Sequence, residues 1–192
     1  ITLEVFAREA ASLPLGFSVM LNLGDTAYGS LVEAPKFAGG LVFPGALEPG
    51  ETPAFALKPG GAFKNLATVP MVIPGSASVP MDLSRLPLDA EAEASLQLCK
   101  VNEGVVSVKH ADGYRVRVSW DKDQLPNAVL HVSNNGRSYS PWNGTHTALT
   151  ISPVASAFDL GAAVSAGTNP MSKKGVPTAI ELAPAEGDEP SW

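Results

Sequence analysis

Glycine and proline punctuate this chain along its whole length, and no other feature limits its architecture as strongly. The 18 glycines and 17 prolines among 192 residues amount to about 18%, against an average near 12%. They follow no period, so they read as turns rather than as collagen or a low-complexity linker. Proline breaks helices and glycine weakens them, which leaves little room for long helices. With 45% hydrophobic and 17% charged residues, the chain has the apolar content for a core and lacks the charge excess of a disordered segment. The expected fold class is all-β, a sandwich or barrel of many short strands, and the length suits one domain or most of a larger one.

The clearest local unit runs from Gly104 to Trp120. Val106, Val108 and His110 share one strand face, and Asp112-Gly113 supplies turn residues that tolerate positive φ. On the return, Tyr114, Val116, Val118 and Trp120 alternate with Arg115, Arg117 and Ser119, a period-two pattern that buries one face and wets the other. Further strands are expected at 15–23, 41–43, 55–57, 96–101, 128–133, 147–151 and 178–182. Pro44-Gly45, Pro49-Gly50, Pro59-Gly60 and Pro74-Gly75 read as turns. The stretch from Asp89 to Ala94 predicts one short helix with Asp89 as its cap.

Thirteen Lys and Arg against nineteen Asp and Glu give a net charge of −6. A nucleic-acid partner is excluded on that ground, since phosphate binding needs a basic footprint and only Lys173-Lys174 approaches one. The single cysteine, Cys99, rules out an intrachain disulfide and a cysteine-built zinc site, and its apolar setting predicts a buried, inert thiol. No run of about 18 apolar residues exists, so no membrane span is expected. The opening Ile1-Thr2-Leu3-Glu4-Val5-Phe6 lacks an initiator methionine and a basic signal-peptide head. It reads as the middle of a strand, so the chain is expected to begin inside a larger gene product, with a cytoplasmic location.

Three histidines could carry chemistry. His110 closes a strand before a turn and reads as a solvated strand end. His131 alternates with Leu130 and Val132 and so points to the opposite face, where a sandwich would hold a ligand. The densest polar and aromatic stretch, Ser133 to His146, carries Arg137, Tyr139, Trp142, Asn143 and His146. Aromatic faces stack on the C–H face of a pyranose while Arg, Asn and His bond its hydroxyls, so a sugar-binding loop is one reading. A structural loop with turn-forming asparagines is the other, and composition leaves both open. Ser152, His146 and Asp159 lie close in sequence, but no Gly-x-Ser-x-Gly elbow surrounds Ser152, which argues against a hydrolase triad there.

Leu130-His131-Val132-Ser133-Asn134, Pro141-Trp142-Asn143-Gly144 and Leu149-Thr150-Ile151-Ser152-Pro153-Val154 resemble the C-terminal half of aldose 1-epimerase, or galactose mutarotase-like, proteins. Phe158-Asp159-Leu160-Gly161, Asn169-Pro170 and Ala183-Pro184-Ala185-Glu186 follow in the family's order. Leu13-Pro14-Leu15-Gly16-Phe17 is similar to the approach to its central histidine strand. The resemblance implies a large twisted β-supersandwich over residues 1–192, lacking N-terminal strands and a final C-terminal strand. It implies a monosaccharide or sugar derivative as ligand and no metal or organic cofactor. Unpaired sheet edges would then favour self-association or a partner chain.

The family's general base is a glutamate where this chain has Ser152, and its acid is a histidine where the chain reads Ser18-Val19-Met20-Leu21. Serine without a partner accepts no proton near neutral pH. Three functions follow as expectations. The first is a sugar binder contacting its ligand through Arg137, Trp142, Asn143, His146 and His131. The second is an isomerase whose acid and base come from elsewhere, with His131, His146 and Asp159 as candidates. The third is a structural or partner-binding β-sandwich.

Overall fold

The computed structural model describes residues 4–23, 29–42, 56–57, 60–72, 79–89, 91–158 and 160–184. Sixteen strands follow one another among them: β1 (Ala11–Leu13), β2 (Leu15–Gly16), β3 (Val19–Asn22), β4 (Ser30–Glu33), β5 (Phe37–Val42), β6 (Ala56–Leu57), β7 (Ala62–Phe63), β8 (Val69–Val72), β9 (Val79–Met81), β10 (Arg85–Leu86), β11 (Ala92–Val101), β12 (Val105–His110), β13 (Arg115–Ser119), β14 (Asn127–Asn134), β15 (Thr147–Ala155) and β16 (Ile180–Leu182). The one α-helix among the described residues, α1 (Ala162–Ala166), is five residues long. The fold is an all-β sandwich, and no described helix is long and apolar enough to cross a membrane.

Seven strands make the main antiparallel sheet in the order β2-β15-β14-β11-β5-β7, with β3 also paired to β15. Four make a second sheet in the order β10-β4-β12-β13. Alternation decides which faces meet. Ala94, Leu96 and Leu98 of β11, Leu130 and Val132 of β14, and Leu149 and Ile151 of β15 join Val32, Val106, Val108 and Val118 of the second sheet in one buried cluster. The predicted hairpin is β12–β13, with Val106 opposite Val118 and Val108 opposite Val116. The second sheet's other face is solvated, and Glu33 pairs there with Lys109 at 2.7 Å and Arg115 at 3.2 Å. Gly40 of β5 lies under the ring of Phe63, in space that a side chain would occupy.

One end of the main sheet's other face is covered by the segment after β15. Leu41 and Cys99 pack there against Ala157, Met171 and Val176, and buried Gln97 donates to the Ser156 carbonyl and accepts from the Phe158 N–H. Asn169, 2% exposed, ties the covering segment together. Its amide donates to Val164 O and Thr178 Oγ1, and its oxygen accepts from the Met171 and Ser172 N–H groups. Ser95 and Glu93 follow on the same face, two and four residues further up β11 from Gln97.

Several expectations are corrected. Residues 92–94 of the predicted 89–94 helix instead open β11, because pairing with β14 and burial of Ala92 and Ala94 outweigh the local preference of Ala and Glu for helix. The strand at 15–23 breaks into β2 and β3. His110 is not solvated: its side chain is 6% exposed and its ring stacks on Tyr114 at 4.7 Å, with Nδ1 2.9 Å from Asp112 Oδ1. Glu4, Val5 and Phe6 lie in no strand, and pairing begins at the Ala7–Pro184 bridge. The expected turns at 44–45, 49–50 and 74–75 fall outside the described residues.

Candidate functional site

The other end of the outer face carries a polar cluster, and cross-strand register puts its groups together. Pairing of β11 with β14 sets Glu93 opposite Ser133 and Ser95 opposite His131. Pairing of β14 with β15 sets His131 opposite Thr150 and Val129 opposite Ser152. Directly opposed side chains lie about 4.5–5.5 Å apart at Cβ, close enough for hydrogen bonds between short side chains.

Glu93 is the hub. Its carboxylate is 7% exposed and accepts the Ser133 hydroxyl at 2.8 Å on both oxygens. His131 Nε2 lies 3.1 Å from Oε2, and Arg137 Nε lies 3.6 Å from the same oxygen. On the far side of the imidazole, His131 Nδ1 is 2.7 Å from Ser95 Oγ. A carboxylate only accepts hydrogen bonds, so the shared proton belongs to Nε2 of His131. In the neutral ring the Nδ1 lone pair then faces the serine, whose hydroxyl donates to it.

Arg137 joins this cluster to the loop after β14. Its guanidinium lies over the Trp142 ring at 5.4 Å, and Trp142 stacks on His146 at 4.5 Å with the planes tilted by 45°. The loop holds its own shape: Asn135 N–H donates to His146 O, Gly144 N–H to Arg137 O, and both Trp142 and Asn143 N–H groups to Tyr139 O. Asn143 has φ +50 and its side chain donates to Pro141 O. It is exposed and holds the turn. Arg137, Trp142, His146 and His131 are thus linked by contacts through Glu93, and Asn143 stands outside that chain of contacts.

Ser152 lies on the same outer face, diagonal to His131 across β14 and β15. Its hydroxyl meets that of Ser18 at 2.7 Å, so two neutral groups pair there. Asp159 falls outside the described residues. Buried Cys99 has its thiol pushed up to about 11 by burial, in keeping with an inert side chain. Among the described residues no group of three or more His, Cys, Asp or Glu is arranged to hold a metal ion.

Sequence reasoning missed Glu93, Ser95 and the role of Ser133. The signal was present: from Ala92 the residues alternate Ala, Glu, Ala, Ser, Leu, Gln, Leu, which is strand period rather than helix period. Comparison of the chain with protein-family models, with curated proteins and with solved structures finds no match.

Proposed function

We propose that this chain is a carbohydrate-binding β-sandwich of the aldose 1-epimerase kind, with its ligand seated at His131 and the loop after β14. The observation that carries this reading is the continuity of that face with the loop: Glu93 holds both His131 and Arg137, and Arg137 leads to the stacked Trp142 and His146. Fixed donors beside a half-buried aromatic ring suit a pyranose, since its hydroxyls and its C–H face are recognised by different groups. The resemblance supports the reading as well. Ser152, at the position of the implied base, bonds Ser18, the first residue of the stretch 18–21 that resembles the region of the implied acid.

Catalysis of anomer exchange by that pair is not part of the proposal. Each lost general acid or base typically costs about 10²–10⁴-fold, and two serines supply neither. The test is proton NMR of freshly dissolved α-galactose and α-glucose with the protein present. Sugar line broadening without faster anomer equilibration is expected, and the absence of both, with the protein folded, would overturn the reading. A second reading, an isomerase with relocated acid and base, is favoured by the presence of His131 beside Glu93 on this face. Faster equilibration in the same tube would decide for it.

A further inference from the structure

We infer that Ser95, His131 and Glu93 form a nucleophile–base–orienter triad, and that this face cleaves carboxylic esters, with an acylated sugar hydroxyl as the substrate class. The substrate class rests on the proposed carbohydrate reading, whereas the nucleophile rests on geometry alone. Ser95 Oγ is 2.7 Å from His131 Nδ1 and His131 Nε2 is 3.1 Å from Glu93 Oε2. A serine becomes nucleophilic when a base holds its proton and a third group orients that base, and this is the relation of the three side chains here. The ring nitrogens are exchanged relative to the familiar Ser-His-Asp arrangement, but such triads are recognised by geometry and role rather than by chain order or fold.

The supporting groups fit those roles. Glu93 takes two contacts from Ser133 and one from Arg137, which leaves it an anchored anion rather than a free base. His131 has its side chain 26% exposed, and Ser95 is half-buried. Both are thus partly accessible, whereas the side chains of Glu93 and Ser133 are buried.

In the reaction, Ser95 Oγ attacks the ester carbonyl carbon while its proton passes to His131 Nδ1. Collapse of the tetrahedral adduct breaks the bond to the alcohol oxygen, which leaves with the proton from Nδ1. Water then attacks the acyl-serine, giving its proton to Nδ1, and the proton returns to Ser95 as the carboxylic acid departs. Ser95 and His131 are the catalytic residues, and Glu93, which acts through His131, is a positioning residue. Main-chain N–H groups in a sheet point along it to neighbouring strands. The oxyanion therefore meets side-chain donors only, and the acceleration expected is that of positioned proton transfer, on the order of 10²–10⁴-fold over background.

The test is intact-mass analysis after treatment with a fluorophosphonate probe, with peptide mapping, alongside p-nitrophenyl acetate hydrolysis. One adduct per chain at Ser95 is expected, with labelling slowed at least 10²-fold in His131→Gln. Glu93→Gln should slow it as well, and Glu93→Asp should restore part of the rate. No adduct on the folded wild-type protein, an adduct only at another serine, or a Ser95 adduct indifferent to His131→Gln would overturn the triad. Labelling at Ser95 in a protein that broadens no sugar signal upholds the nucleophile and overturns the sugar-ester substrate. Sugar binding without labelling does the reverse.

Discussion

Replacing Glu93 by glutamine keeps its shape and removes its charge, which isolates what the carboxylate does. In the folded protein that group is 7% exposed and faces three donors: Ser133 Oγ at 2.8 Å, His131 Nε2 at 3.1 Å and Arg137 Nε at 3.6 Å. The amide offers one acceptor oxygen and turns two N–H bonds toward groups that are themselves donors. Ser133, 2% exposed, can rotate its hydroxyl to the remaining oxygen, so at least one charge-assisted bond is lost outright. Such bonds contribute about 1.5–3 kcal/mol each, and an unsatisfied buried donor costs about as much. Arg137 adds little, because its side chain is 24% exposed and water replaces the carboxylate. The expected destabilisation is therefore about 1.5–3 kcal/mol, or roughly 3–12 °C in Tm for a domain of this size.

Thermal unfolding by circular dichroism measures that loss, and Ser133→Ala supplies the second arm of a double-mutant cycle with an expected coupling of about 0.5–3 kcal/mol. Nitrogen NMR of His131 gives an independent readout. The wild-type ring should be the Nε2–H tautomer, and the variant should lose that preference. A Tm shift below about 1 °C with an unchanged His131 tautomer would refute the hub, and with it the orienting role assigned to Glu93.

Four further outcomes are expected. Asn169→Ala removes the side chain that bonds residues 164–178 together and should cost about 2–4 kcal/mol in denaturant unfolding, since several buried partners lose their bond at once. Cys99, whose thiol is shifted from 9.0 to about 11, should react with iodoacetamide at pH 8 roughly 10²-fold more slowly in the native than in the unfolded chain. The native state holds that proton longer than the unfolded one, so stability should fall as pH rises from about 9 toward 11 in an alkaline unfolding series. Trp142→Ala should weaken sugar binding about 2- to 10-fold, the worth of one aromatic contact, and an unchanged affinity by NMR titration would remove the loop from the binding site.

How far such a site is legible in the sequence depends on where its contacts come from. The β12–β13 hairpin is legible because its partners are neighbours along the chain, joined by Asp112-Gly113 and patterned with period two. His131 is legible in part: Leu130 and Val132 fix the face it avoids. Arg137, Trp142 and His146 stand out as a dense local group. Ser95 and Glu93 are different, because what they touch lies 36 to 40 residues away, and locally the stretch Asp89 to Ala94 has the composition of a helix.

What fixes their meeting is the register of β11 on β14, and the core sets that register rather than the site. Ala94, Leu96 and Leu98 must face Val32, Val106 and Val108, as must Leu130 and Val132. A slip of one residue would turn the buried stripe of β11 outward and carry Glu93, Ser95 and Gln97 into the core. Burying an unpaired carboxylate there costs several kcal/mol. The same apolar alternation that closes the sandwich therefore sets Ser95 against His131 and Glu93 against Ser133 on the opposite face. The polar cluster is held by packing in which it takes no part, so its residues can change chemistry without changing the fold. On that argument the paired Ser18 and Ser152 and the linked Glu93, His131 and Ser95 are alternative uses of one sheet face.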